Sequence, residues 1–151
     1  MTLDTIREDT WNVLHSLLSS NLSDMEVSQG DWTALDKGKG TVLISYPGGW
    51  EMLDGAHGVF RVRWVFVLEI YVRHDMAAEL TNLVQAVDDV LALVLRYPTL
   101  NNHLGVALVR PVSADDPRWI FDRRGGGPHY VMQAVHLHIV QQVAISGGQY
   151  G

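Results

Sequence analysis

"FRVRWVFVLEIYVRH", residues 60–74, decides the fold. Phe60, Val62, Trp64, Phe66, Leu68, Ile70 and Val72 fall on one face of an extended chain, and Arg61, Arg63, Val65, Val67, Glu69, Tyr71 and Arg73 on the other. The first face is apolar throughout; the second is charged at its ends and apolar only in the middle. A sheet strand covered by helix along one side and only partly on the other is expected. Fifteen residues at about 3.3 Å each reach about 50 Å, whereas a compact domain of this length is about 40 Å across. Some of the strand is expected to overhang its own core.

Working outward, Leu80, Leu83, Val84, Val87, Val90, Leu91, Val94 and Leu95 recur at helical spacing within residues 76–96. Asp75 is placed to cap that helix and Pro98 to end it. Upstream, "TVLISYPGG" (41–49) reads as a strand stopped by a turn at Pro47, and "WEMLDGAHG" (50–58) as a turn-rich link. Residues 3–18 carry Leu3, Ile6, Val13, Leu14, Leu17 and Leu18 on one helical stripe, with Asp4, Glu8 and Asp9 near the favourable N-terminal end. Residues 20–40 read as loop with a short strand near Met25 to Ser28.

Downstream, "GVALVRPV" (105–112) predicts a strand and "SADDPRWIFDRRGGGP" (113–128) a long connection. "HYVMQAVHLHIVQQVAI" (129–145) alternates as a second long strand, and 146–151 form a loose tail. The two long strands match in length and are expected to pair. The reading is a single α+β domain over 1–151: a mixed, largely antiparallel sheet packed by two helices on one face.

Composition narrows the function. The chain has no cysteine, which removes disulfides, thiolate catalysis and Cys-based metal sites. Its longest apolar run, Val90 to Leu95, is far short of the roughly 20 residues that span a bilayer. The start, "MTLDTIREDT", lacks the pattern of a secretory signal, so a cytoplasmic site of synthesis is expected. Residues 1–60 hold nine acids against three bases and the remainder eight of each, so the net charge of −6 lies in the first part. A protein that grips phosphates needs a basic face instead.

Catalytic signals are thin. His136 and His138 share one face of the last strand, the start of a zinc or iron site, yet no HExxH or spaced carboxylate pair accompanies them. "RRGGGPH" (123–129) lacks the Lys and Ser of a phosphate-binding loop, and no G-x-S-x-G is present. No catalytic, cofactor-binding or metal residue is assigned; a small His-dependent metalloenzyme and a sheet-platform binding module are the alternatives. Trp32, Trp50 and Trp119 stand in predicted loops, as anchors or as contact residues.

The predicted overhang, Phe60 and Val62 on one strand with Tyr130 and Met132 on the other, exceeds a 21-residue helix about 30 Å long. A neighbouring copy is expected to cover it. The N-terminal helix, the strand ending in "YPGG", the stretch "VFRVRWVFVLEIYVRHD", the helix "ELTNLVQAVDDVLALVL" before "YPTL", and the long closing strand together resemble the tail terminator proteins of long-tailed bacteriophages. Sister proteins of the head-tail junction share much of the pattern. The resemblance implies a non-enzymatic ring, a homohexamer, in the virion at the neck-proximal end of the tail. Such a ring caps the tail tube protein, stops its polymerisation and docks to the head-tail connector, while DNA passes through the lumen without specific binding. Composition nominates Trp50, Phe60, Val62, Trp119, Arg123, Arg124 and Tyr130 as interface residues.

Overall fold

A computed structural model describes residues 2–37, 39–74, 78–120 and 130–144. The elements are helix α1 (Leu3–Asn21), strand β1 (Glu26–Gln29), a 3₁₀ segment (Trp32–Lys37), β2 (Thr41–Ala56), β3 (Val59–Arg73), helix α2 (Glu79–Arg96), β4 (Val106–Ala114), β5 (Arg118–Ile120) and β6 (Tyr130–Ala144). The sheet runs β1-β2-β3-β6-β4, with β5 also on β6. Only β1 and β2 are parallel; the other pairs are antiparallel. The fold is the expected α+β arrangement of a mixed, mostly antiparallel sheet with helices packed on it.

The two long strands pair along their whole length, from Val59 opposite Ala144 to Arg73 opposite Tyr130. The face carrying Val62, Trp64, Phe66, Leu68, Ile70 and Val72 lies under α1 and α2, which contribute Ile6, Leu14, Leu18, Leu83, Val90 and Val94 to one core. Burying such side chains contributes about 1.5–3 kcal/mol each. A smaller cluster on the opposite face joins Val42, Ile44, Val67, Tyr71, Tyr130, Met132 and Ala134 to Ala34 of the 3₁₀ segment.

Helix α1 starts as its sequence dictates, because the Thr2 side chain accepts the Thr5 N–H. Asp75, expected to cap α2, lies outside the described residues; the residue preceding the helix is Ala78, at φ 56° with no side-chain cap. Helix α2 ends before Pro98, with Tyr97 as its C-terminal cap.

Three expectations are corrected. Pro47 does not stop a strand: β2 continues through "YPGGWEMLDGA" to Ala56. β1 reaches only to Ser45, so β2 is an edge strand beyond it, and a bulge between Pro47 and Trp50 absorbs Gly48 and Gly49. Proline is tolerated in such edges and bulges. The "turn-rich" residues 50–56 are thus one arm of a hairpin whose turn is His57 and Gly58, both at positive φ.

The second correction concerns the overhang. Val62, Tyr130 and Met132 are buried rather than projecting. Cover comes from more than α2: Thr10 of α1 reaches β6 on the helix face. On the other face the Tyr130 hydroxyl donates to Leu35 O, with β5 alongside β6. The exposed apolar stretch lies instead on β2 beyond the reach of β1, where Trp50 and Met52 are open to solvent. In the third correction, the 113–128 connection is not wholly irregular, since Arg118–Ile120 pairs with β6.

Candidate assembly surface

The β2 arm of the β2–β3 hairpin is the first exposed surface. Trp50 opposes Trp64 and Met52 opposes Val62, so both side chains lie on the helix face of the sheet. Each is nevertheless exposed, Trp50 by 47% and Met52 by 38%, with Val59 also open to solvent. Trp50 sits edge-on to Trp64 at 6.3 Å between ring centroids. Its indole N–H has no acceptor among the described residues. Phe60 is half-buried; a Cβ on Gly55 would lie 2.2 Å from its ring, so the glycine is what lets the two strands close over that phenyl group.

A corner beside β4 is the second surface. Ile6, Asp9, His103, Leu104 and residues 141–144 line a half-open, mainly apolar cavity of about 190 Å³. Its floor is held by Gln141. The side-chain oxygen of Gln141 accepts from Thr10 Oγ1 at 2.7 Å and Trp64 Nε1 at 2.8 Å, while its NH₂ donates to Leu104 O at 2.9 Å. Leu104 itself is 87% exposed. The signal in the sequence was Gln141, which with Gln133 interrupts an otherwise apolar face (Val135, Leu137, Ile139, Val143), and sequence reasoning passed over it.

The sheet face away from the helices carries the charges. Arg61 pairs with Asp54 and Arg63 with Glu51 across the hairpin. His136 and His138 lie there too, opposite Val67 and Val65. His136 Nε2 is 3.2 Å from Asp115 Oδ1. Partial burial, with Arg63 and Arg110 nearby, holds the His138 imidazole below its ordinary range. Among the described residues, no group of three or more His, Asp or Glu is placed to hold a metal.

Of the three tryptophans in question, Trp32 is 43% exposed but tied to the sheet by a hydrogen bond. Its Nε1 donates to Glu69 Oε1 at 2.9 Å, Tyr71 donates to the same oxygen at 2.7 Å, and Tyr46 donates to Oε2 at 3.0 Å. Burial first, and the Glu69 carboxylate second, push the Tyr46 phenol up to about 12 and that of Tyr71 up as well. Replacing Glu69 with Ala leaves three donors without their acceptor, at a cost of about 2–3 kcal/mol for this partly exposed cluster. Urea unfolding checks the value. A loss under about 0.5 kcal/mol, the usual range for unremarkable surface changes, would mean that water replaces the carboxylate.

Trp119 is 42% exposed and packs edge-on to His74 at 5.3 Å. Of the expected interface residues, Trp50 and Trp119 are therefore exposed, Phe60 is partly so, and Val62 and Tyr130 are inside the fold. Arg123 and Arg124 lie outside the described residues.

No protein-family model and no curated protein matches the chain. Among solved structures, a protein whose designation says nothing of its function is similar at 20% identity and a TM-score of 0.45, over 92% of this chain and 96% of that one. A likeness of that size says nothing about activity or partners.

Proposed function

We propose that this chain is a non-enzymatic structural subunit of a closed homo-oligomeric ring, and that the ring is a phage tail terminator. In this role six copies cap the tail tube at its head-proximal end, end its polymerisation and present a docking face to the head connector. The observation that carries the reading is the β2–β3 hairpin, on which Trp50, Met52 and Val59 are exposed. Exposed aromatic and Met side chains grouped on one element are what protein interfaces enrich. The order and texture of the elements, which resemble tail terminators along nearly the whole chain, supply the particular ring. The acidic excess of residues 1–60 suits a bore through which DNA slides without being held.

Light scattering coupled to gel filtration tests the ring directly. A mass near six times 16.8 kDa is the expected result at micromolar concentration. A single-chain mass at every concentration and salt level, together with no rings on purified tail tubes by electron microscopy, would overturn it.

A further inference from the structure

We propose that Trp50 of one subunit seats in the corner cavity of the next, against Leu104, so that the ring seam joins the β2 flank of one copy to the β4 flank of its neighbour. The inference rests on the ring reading above and names the surfaces that close it.

Position is the first argument. The sheet order β2-β3-β6-β4 puts the hairpin arm and the corner on opposite flanks. In register, however, they share one end of the strands: Met52 pairs with Val62, Val62 with Gln141, and Gln141 with Val106 next to the Leu104 loop. They also share one face, since Trp50 and Met52 lie on the helix side and the cavity is walled by Ile6 and Asp9 of α1. A knob and a hole on opposite flanks, at the same end and on the same face, make a head-to-tail contact. Repeated, such a contact relates neighbours by rotation with little shift along the strands, the condition under which a head-to-tail contact closes as a ring when its rotation divides a full turn.

Fit is the second argument. A cavity of about 150 Å³ takes up benzene, and this one, at about 190 Å³, is larger and open on one side. The docked indole brings an N–H without an acceptor to the Asp9 carboxylate, which has no ion-pair partner among the described residues. Burial of an aromatic ring with a satisfied N–H is the usual chemistry of an interface anchor.

Rigidity is the third. The Leu104 loop is pinned before docking: Gln141 holds Leu104 O, Gln142 N donates to Gly105 O at 2.8 Å, Val106 N to His103 O at 3.0 Å and Val109 N to Pro98 O at 2.7 Å. Leu100, buried at φ 50°, anchors the loop from below. An 87% exposed leucine on a loop held this firmly is preorganised for contact, which lowers the entropy cost of binding. Backbone pairing between edges is the less suited seam, because β2 and β4 each carry a proline and two register breaks.

Trp50→Ala and Leu104→Glu test the seam. Both sites are exposed, so circular dichroism is expected to stay at the wild-type signal, while the urea midpoint falls only by the stabilisation that assembly gave the wild type and becomes independent of concentration. Light scattering is expected to give an oligomer for the wild type and a single-chain mass for each variant alone. An equimolar mixture of the two is expected to give twice the single-chain mass and no more. Only the Trp50 of the Leu104→Glu copy and the corner of the Trp50→Ala copy remain intact, which allows one seam per pair. A wild-type oligomer with either variant retaining its full mass overturns the seam and leaves the ring reading standing. Variants that dissociate but do not pair on mixing also overturn it. A wild type that is single-chain under all conditions, alone and with tail tubes, removes the ring reading and the seam with it.

Discussion

Gln141→Leu is expected to destabilise the fold by about 3–5 kcal/mol, although leucine is close to glutamine in size and lies in an apolar strand. The reason is what the amide holds. Its oxygen is the acceptor for both Thr10 Oγ1 and Trp64 Nε1, and its NH₂ covers Leu104 O. Thr10 is 0% and Trp64 1% exposed, so no water takes over. Each buried group left unsatisfied costs about 1–3 kcal/mol, and a domain of this size has only about 5–15 kcal/mol in total. Adding Thr10→Val removes one stranded hydroxyl, so the double variant is expected to lose about 1 kcal/mol less than the sum of the singles. Urea unfolding of the four proteins measures the cycle. A Gln141→Leu loss below about 1 kcal/mol would sink the claim that this amide joins α1, β3 and the 97–105 loop.

How much of this was legible can be stated residue by residue. The alternation of residues 60–74 identified β3 and its buried face, and the helical spacing of residues 76–96 identified α2, because periodicity records which side of an element meets the core. The pairing of β3 with β6 followed from matched lengths. Pro47 misled because its effect depends on whether a neighbour needs its N–H, and the shortness of β1, which leaves β2 as an edge, is a tertiary fact. The overhang was assigned to Val62 and Tyr130 on the assumption that α2 alone supplies cover; α1 and the 3₁₀ segment reach them through contacts between residues far apart in the chain, such as Thr10 with Gln141. Trp50 was nominated for an interface from composition and is exposed, whereas Leu104 carries no pattern of its own. A leucine held out by its backbone looks in sequence like any leucine near a turn.

The same loop gives the second large effect: Gly105→Ala is expected to cost about 3–4 kcal/mol, far more than a methyl group normally does at a surface loop. Gly105 lies at φ +78°, and a Cβ there would stand 2.2 Å from Gln142 O. The left-handed conformation alone costs an alanine about 1–2 kcal/mol. The contact is worse, because the obstructing atom is backbone of β6, fixed in its ladder with β3 between Arg61 and Gln142. Relief requires the loop to lift, which breaks the Gln142 N–H bond to Gly105 O and strains the Gln141 bond to Leu104 O. Two hydrogen bonds at about 1 kcal/mol each, added to the conformational strain, give the expected total. Gly49→Ala is the matched control: it sits in the β2 bulge with nothing within 4 Å of its added Cβ, and is expected to stay within about 0.5 kcal/mol of the wild type. Equal losses for the two would show that the loop yields without resistance. A large loss confined to Gly105→Ala means instead that the backbone of residues 104–106 is braced against β6, and that the exposure of Leu104 is a feature the fold spends stability to maintain.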